Sequence, residues 1–234
     1  MFSSFSNSAF GMHHKINNVV VEEEDPLPKL SLPFSTDGAD DSGNGYNGTV
    51  YGSCVDTTRS KFYTKSLTSD GTVGTSRYVE MPAVPLNNSF GMTMSFHMYP
   101  ESGAALSADS RIFEIERDGV QSNRIYISRY KSFQDKFRFC DGGSGVFTVP
   151  AIDTWIKVVI TITAADVINL WASDVKYLTD YTKAGIMPLI GFNAGWHIGG
   201  NISNTGNLTS FNGSFQDFKV WNRVLTDTEV SEIP

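Results

Sequence analysis

Apolar and polar residues alternate along most of the chain from Leu30 onward, and a period of two predicts β-strands. The segment MTMSFHMYP at residues 92–100 is the clearest case, because its methionines and its phenylalanine all fall on one face. Residues 155–163 and 167–173 alternate in the same way, and RIFEIER, RIYISRY and KFRFC predict three further strands. Each strand has one apolar face, so we expect two sheets to pack face to face.

Glycine-containing turns separate these strands. Asp-Gly pairs at 70–71, 118–119 and 141–142 supply the left-handed positions that tight hairpins need. Many short strands, frequent turns and hardly any helical periodicity predict an all-β fold, a jelly-roll sandwich of two antiparallel sheets.

A short helical turn is predicted close to the end of the sequence. Thr226 and Glu229 have the spacing of a capping box, in which each side chain accepts a hydrogen bond from a backbone N–H of the other residue. Leu225 and Val230 are placed to form a hydrophobic staple over the same turn. We expect this turn to seal one end of the core.

Residues 1–29 differ from the rest and predict an extended N-terminal arm, with the sandwich following over residues 30–234. The arm is polar, contains the acidic run Glu22–Asp25 and ends in DPLPKL, where two prolines oppose helix formation. A segment without a core of its own is ordered only when something holds it, so we expect the body or a neighbouring molecule to hold this arm.

Composition and charge narrow the possible partners. The chain has 234 residues, of which 40% are hydrophobic and 12% aromatic, with 21 glycines and a net charge of −7. Because no basic cluster is present, nucleic acid is not an expected partner. No apolar run approaches the ~20 residues of a membrane span, and the first 30 residues lack the apolar core of a signal peptide. The location stays open, with a particle or cell surface as candidates.

Four segments, taken in order, resemble laminin-G-like domains of the concanavalin A-like lectin/glucanase superfamily. The matching features are an Asp-Ser-Gly-Asn turn with a Gly-Thr-Val strand, a first long core strand, a Trp-led hairpin, and a closing strand followed by the helical turn. The segments are residues 32–52, 90–100, 153–173 and 211–233. The resemblance implies a concanavalin A-like jelly roll whose first and last strands lie side by side, with Phe218 and Val220 in the core and the Asp217 face outward.

The glucanase members of this superfamily carry their catalytic carboxylates at alternate positions of one strand. Glu114, Glu116 and Asp118 alternate on one face of a predicted strand. Their order is Glu-x-Glu-x-Asp, whereas the glucanase branch uses Glu-x-Asp-x-Glu, and Gly119 after Asp118 favours a turn. We therefore expect no catalysis and interpret these acids as a solvated strand face.

Aromatic and polar residues suggest a recognition or adhesion module whose partner is a glycan or a glycosylated surface. The candidate ligand-binding residues are His97, Tyr99, Trp155, Trp196 and His197. The last two fall in the glycine-rich segment 191–201, which is expected to form a rim loop. A rival hypothesis is a structural component of a larger assembly, such as a virion or surface layer, that docks on neighbouring proteins through residues 1–29.

The resemblance also suggests a structural Ca²⁺ ion at Asp217, since oxygen ligands of mixed origin suit that ion. The alternative for Asp217 is a charge pair with Lys219. Cys54 and Cys140 are too few to define a disulfide framework, and their pairing stays open. Five N-x-S/T sequons, at Asn47, Asn87, Asn201, Asn207 and Asn212, are explained by the abundance of these residues in turns.

Overall fold

The computed structural model describes part of the chain. The described residues are 15–16, 19–20, 26–35, 37–52, 55–56, 58–70, 78–103, 110–117, 124–129, 136–139, 146–148, 152–182, 184–185, 194–200 and 209–234. The glycines of the three predicted Asp-Gly turns, and both cysteines, lie outside these residues.

Two eight-stranded sheets form the sandwich. Sheet 1 has the spatial order β15 (Val175–Thr182), β14 (Val167–Ala172), β13 (Ile156–Ile162), β8 (Met92–Pro100), β18 (Asn212–Trp221), β6 (Ser66–Asp70), β5 (Val55–Asp56), with β3 (Leu30–Leu32) also paired to β18. Sheet 2 has the order β12 (Val146–Thr148), β11 (Lys136–Phe139), β10 (Arg124–Arg129), β9 (Ser110–Arg117), β16 (Ala194–Ile198), β7 (Tyr78–Met81), β4 (Thr49–Tyr51), with β17 (Thr209–Ser210) also paired to β9. The described pairings are antiparallel except that of β17 with β9. The predicted two-sheet jelly roll is confirmed.

The hydrophobic core lies between the two sheets. The inward residues of β8, which are Met92, Met94, Phe96 and Met98, are at most 2% exposed, as the alternation predicted. Phe96 contacts Phe113 of sheet 2 and Phe218 of β18, with ring centroids 6.4 and 6.1 Å apart. These rings join the sheets across the middle of the sandwich.

Strand β18 lies in the middle of sheet 1 and joins its two halves. It pairs with β8 on one side and with β6 and β3 on the other. Phe218 lies opposite Leu32, and both Phe218 and Val220 are fully buried. The predicted adjacency of the first and last sandwich strands is therefore confirmed. In the predicted arm, two short strands, β1 (Lys15–Ile16) and β2 (Val19–Val20), pair with each other.

The predicted helical turn is the helix α1 (Asp227–Glu232), and its capping box is present. The Glu229 backbone N–H donates to Thr226 Oγ1, and the Thr226 N–H donates to Glu229 Oε2. Leu225 and Val230 belong to a second apolar cluster on the outer face of sheet 1. The helix therefore covers that face, where the sequence had suggested the end of the core.

A lysine from the sheet caps α1 at its C-terminal end. The last turn of the helix contains no basic residue of its own. Lys157 Nζ, on β13, donates to the Ile233 carbonyl at 2.6 Å and lies 2.9 Å from Asp174 Oδ1. A cation at this position satisfies free helix carbonyls and opposes the negative end of the helix dipole.

The Trp221-Asn222-Arg223 step joins the closing strand to the helix, and each side chain has a separate contact. Trp221 is part of the second apolar cluster. Asn222 accepts from the Asn87 N–H and donates to the Asn87 and Gly91 carbonyls. Arg223 pairs with Glu229 at 2.7 Å. These contacts fix the direction in which the chain leaves β18.

One segment has a different secondary structure from the one predicted. Residues 194–198 of the expected rim loop form β16, which lies between β9 and β7 in the middle of sheet 2. Because glycines lie within and around this short strand, the sequence alone favoured a loop.

Candidate functional site

A row of polar and aromatic side chains crosses the outer face of sheet 2. Glu80 of β7 lies opposite His197 of β16, His197 lies opposite Glu114 of β9, and Glu114 lies opposite Tyr126 of β10. Directly opposed residues in a sheet have neighbouring side chains on one face. We call these four residues the His197 row.

His197 is the central member of this row and one of the ligand-binding residues that the sequence predicted. Its side chain is 5% exposed, and neither ring nitrogen has a hydrogen-bond partner in the part of the chain that the structure describes. Burial lowers the pKa of His197 to about 4, while the Glu80 carboxylate acts in the opposite direction. The ring is therefore neutral near pH 7, with one N–H donor and one acceptor nitrogen.

Two tyrosines stack beside His197. The rings of Tyr51 and Tyr78 have centroids 4.6 Å apart and planes inclined by 16°. Tyr78 also makes an edge contact with His197 at 6.0 Å, and the Tyr51 hydroxyl donates to Glu80 Oε2 at 2.9 Å. Tyr51 is 38% exposed, so this pair presents an aromatic surface to solvent.

Gly200 leaves the space in which Tyr78 stacks. A Cβ atom on Gly200 would lie 2.9 Å from the Cβ of Tyr78, closer than real contacts of this kind. A larger residue there would displace the Tyr78 backbone or ring. The position of the aromatic pair therefore depends on the glycine at 200.

A buried charge pair follows on the other side of His197. Arg111 Nε lies 3.4 Å from Glu114 Oε2, and both side chains are at most 3% exposed. The Arg111 guanidinium also lies 3.5 Å from the centroid of the Tyr126 ring. A buried carboxylate needs such a partner, so the charge of Glu114 is compensated within the protein.

The three acids considered for catalysis are only partly described. Glu114 occupies the outer face of sheet 2, as the alternation predicted, but it is buried beside Arg111 rather than solvated. The Glu116 side chain and Asp118 lie outside the described residues.

The structure separates the predicted ligand-binding residues. Trp196 is fully buried in the core and packs against Phe113, with ring centroids 6.1 Å apart. The expectation that Trp196 is exposed is wrong, because the pairing of β16 with both neighbours turns it inward. His97 is also fully buried, beneath Phe62 on the outer face of sheet 1.

Tyr99 and Trp155 do come together, at a second location. Their ring centroids are 5.7 Å apart in an edge contact, and both side chains are half-buried. The Arg59 guanidinium lies 5.6 Å from the centroid of the Tyr99 ring and also pairs with Glu101. This pair belongs to sheet 1 and is separate from the His197 row.

Asp217 is held by its neighbours. It is 4% exposed, and it lies in a register shift of β18 with φ at 55°. Its carboxylate accepts from Lys219 Nζ at 2.8 Å and from the Tyr63 hydroxyl at 3.4 Å. Its partners lie on the outer face of sheet 1, in agreement with the expected outward direction, and Tyr63 covers the carboxylate.

This arrangement does not fit a Ca²⁺ ion well, since the ammonium of Lys219 already occupies the cation position beside Asp217. Among the described residues, no group of three His, Cys, Asp or Glu side chains has metal-binding geometry. Calcium at Asp217 stays a prediction.

Sequence reasoning missed Tyr51, Tyr78 and Glu80. The alternation in YVEM at residues 78–81 places Tyr78 and Glu80 on one face, and this signal was available. Tyr51, however, is 27 positions from Tyr78, and their contact depends on the pairing of β4 with β7.

Comparison with known proteins identifies the family. Residues 73–231 match the laminin-G-type family model described as the concanavalin A-like lectin/glucanases superfamily. The match covers more than half of the chain, so the chain belongs to this superfamily, as the sequence resemblance indicated. A search of curated proteins finds no match. In the described part of the chain, no helix has the length and apolarity needed to cross a membrane.

Several solved structures share the fold. Domain 4 of AbnA, a GH43 extracellular arabinanase from Geobacillus stearothermophilus solved with arabinotriose, matches with a TM-score of 0.60 and 16% identity over 90% of this chain and 98% of that chain. The binding domain of botulinum neurotoxin serotype G has a TM-score of 0.60 and 15% identity over 88% and 50% of the two chains. Trypanosoma rangeli sialidase, solved with sialic acid, has a TM-score of 0.60 and 14% identity over 86% and 32%. At these identities, the likeness establishes the fold alone.

Proposed function

We propose that this protein is a non-catalytic recognition module that binds a glycan on the outer face of sheet 2. The observation that carries the proposal is His197, a buried imidazole whose ring nitrogens have no hydrogen-bond partner among the described residues, beside an exposed tyrosine pair. Buried polar groups are normally hydrogen-bonded, so an unpartnered one beside an aromatic surface suggests that a ligand supplies the missing bonds.

The His197 row and the pair of Tyr51 and Tyr78 beside it have a chemistry that suits a sugar. A sugar ring has apolar C–H faces that pack on aromatic rings, and hydroxyls that both donate and accept hydrogen bonds. Tyr51 and Tyr78 provide the aromatic surface, neutral His197 provides a donor and an acceptor, and Glu80 provides an acceptor. One fold neighbour, which this chain matches over 98% of its length, was solved with arabinotriose, and oligosaccharides are therefore the first ligands to test.

The environment of Glu114 supports the non-catalytic part of the proposal. A glycosidase needs one carboxyl group that donates a proton and a second that acts as nucleophile or base. Glu114 is fully buried and forms an ion pair with Arg111 at 3.4 Å, so its carboxylate is held within the protein and not presented to a substrate.

A glycan array followed by titration calorimetry with the strongest hit tests the proposal. Tyr51→Ala should weaken binding at least about tenfold, equivalent to about 1.4 kcal/mol, because the exposed half of the aromatic pair is lost. His197→Gln should also weaken binding. Tyr99→Ala is the matched control, since it removes a tyrosine of the other aromatic pair, and it should leave the affinity unchanged.

Two outcomes would contradict the proposal. Binding that is lost in Tyr99→Ala and retained in Tyr51→Ala would move the site to the Tyr99–Trp155 pair. Release of new reducing ends from laminarin or lichenan, abolished by Glu114→Gln, would show that the protein is an enzyme.

A further inference from the structure

A second candidate surface lies on the opposite side of the sandwich, on the outer face of sheet 1. Residues 60–65, with the sequence SKFYTK, form what we call the basic aromatic loop. Phe62 is 40% exposed and Tyr63 is 37% exposed, and Lys61 is exposed beside them. Two adjacent exposed aromatic rings flanked by lysines are unusual on a monomer surface that serves no contact.

One buried glutamine fixes this loop in place. Gln216 of β18 is fully buried, and its Oε1 accepts from the backbone N–H groups of Lys61 and Phe62. Its Nε2 donates to the Lys65 carbonyl and to Ser60 Oγ. The loop is therefore preorganised, and a partner that binds it does not have to order it first.

The aromatic rings of the loop also rest on side chains of the sheet. Phe62 contacts the buried His97 ring in an edge arrangement, with centroids 4.7 Å apart. The Tyr63 hydroxyl donates to Asp217 Oδ1. The rings are thus held with their outer sides toward solvent.

The positive charge of the loop is only partly neutralised: Asp174 and Asp217 act to raise the pKa of Lys61, but each of these carboxylates is already paired with another lysine. The neighbouring lysines Lys157 and Lys219 are paired with Asp174 and Asp217. Lys61 and Lys65 have no ion pair with any described residue, although Lys61 Nζ lies 4.7 Å from the centroid of the Phe62 ring. Burial and the charge of Lys157 lower the pKa of Lys61, so an added anion would stabilise its charged form.

We propose that the basic aromatic loop binds the acidic run Glu22–Asp25 of a second copy of this chain. The run contains four consecutive carboxylates, which complement the two lysines in charge. The chain as a whole has a net charge of −7, so a locally basic surface allows contact between copies that otherwise repel. This proposal is independent of glycan binding on sheet 2.

The direction of the chain favours a second copy over the same copy. Leu32 lies opposite Phe218 and Leu30 opposite Val220, so the chain before Leu30 leads away from Gln216 and from the loop. The acidic run of the same molecule would have to reverse this path to reach its own loop. A neighbouring molecule meets no such restriction.

Charge exchange in the full-length protein tests the proposal. The wild-type protein should associate in sedimentation velocity at low ionic strength, and association should fall as salt approaches about 0.5 M, where exposed charges are screened within a few ångströms. Lys61→Glu/Lys65→Glu should abolish association, and so should Glu22→Lys/Glu23→Lys. An equimolar mixture of the two double variants should associate again, because each supplies the surface that the other lacks.

The control is Lys136→Glu/Lys176→Glu. It changes the net charge by the same amount as the loop variant but at positions outside the loop, and this variant should still associate. All variants should melt within about 2 °C of the wild type, as surface substitutions do. A wild-type protein that stays monomeric at low salt would overturn the proposal. Association that survives Lys61→Glu/Lys65→Glu, or a mixture that fails to recover it, would also overturn it. If the protein binds polyanions such as heparin through this loop but does not self-associate, the occupant of the loop is a different one, and the proposal is rejected.

Discussion

His97 and His197 occupy equivalent positions on opposite sides of the sandwich. Each points outward from a central strand, each is at most 5% exposed, and burial lowers the pKa of each to about 4. The difference is in what covers them. His97 lies beneath the protein's own Phe62, whereas His197 lies beside a tyrosine pair whose outer member is exposed.

This difference explains why the glycan site is proposed on sheet 2 and not at His97, whose ring is covered by the chain's own loop. The chain covers the outer face of sheet 1 with α1 and the basic aromatic loop, and the apolar cluster beneath the helix is already filled. On sheet 2, the described cover of His197 is a polar and aromatic row without a helix. Burial of a polar residue therefore identifies a candidate site only when the covering groups are also considered.

Acidification should cause the largest loss of stability, because it protonates both buried histidines. An unfolded histidine binds its proton near pH 6.5 and the folded ones only near pH 4, so stability is full above pH 6.5 and falls as the pH decreases toward 4. The loss should be roughly 3 kcal/mol for each histidine, since one pKa unit is about 1.4 kcal/mol.

Urea unfolding at several pH values measures this loss, and NMR of the histidine rings assigns it. Both rings should stay neutral at pH 5. Saturation with a glycan should shift the titration of His197 and leave that of His97 unchanged. Titration of either ring near 6.5 would show that it is not buried in solution.

Trp221→Ala should destabilise the covered face next most strongly. Trp221 is 8% exposed within the cluster beneath α1, and truncation of a buried tryptophan costs about 3–5 kcal/mol. Chemical denaturation should show this loss while glycan affinity at sheet 2 stays unchanged. Trp155→Ala, at a half-buried position, is the matched control and should cost less. Equal losses would mean that the helix contributes little to stability.

Lys157→Met should have a smaller effect on the same face. It keeps most of the side-chain volume but removes the cap on the Ile233 carbonyl, and a hydrogen bond to a charged group contributes about 2 kcal/mol. Hydrogen exchange should accelerate in residues 227–232 and not in β16. Unchanged exchange in the helix would contradict the capping role.

Removal of Ca²⁺ by a chelator should have the smallest effect on the melting temperature. If Asp217 binds Ca²⁺, EDTA lowers the melting temperature, and Asp217→Ala melts at the chelated value and ignores added Ca²⁺. If the Lys219 ion pair is its whole role, the melting temperature does not respond to EDTA, and Asp217→Asn costs less than about 1 kcal/mol for a partly exposed pair. Differential scanning calorimetry with and without Ca²⁺ distinguishes the two cases.

The predictions that succeeded depended on local sequence. The alternation in residues 92–100 and the Thr226–Glu229 capping box each lie within one element, so no knowledge of distant contacts was needed. Phe218 and Val220 were placed correctly because the family resemblance supplied the position of the closing strand.

The predictions that failed depended on distant contacts. Whether Trp196 or His197 faces inward is decided by the pairing of β16 with β7 and β9, which are far away in sequence. The cover over His97 comes from Phe62, 35 positions earlier in the chain. Alternation in the sequence shows that the two faces of a strand differ, but only the tertiary structure shows which residues lie against each face.

The central position of β18 has a consequence for how the chain folds. The strand that joins β8 to β6 and β3 follows every other described strand of the sandwich in the sequence, so sheet 1 stays divided until this strand has been synthesised. Contacts over such long sequence separations carry a large loop-closure cost and slow the folding of β proteins. Until residues 212–221 insert, the edges of β8 and β6 expose unpaired backbone groups that neighbouring chains can capture. Synthesis rate, temperature and chaperone supply should therefore affect the yield of native protein through this one late insertion.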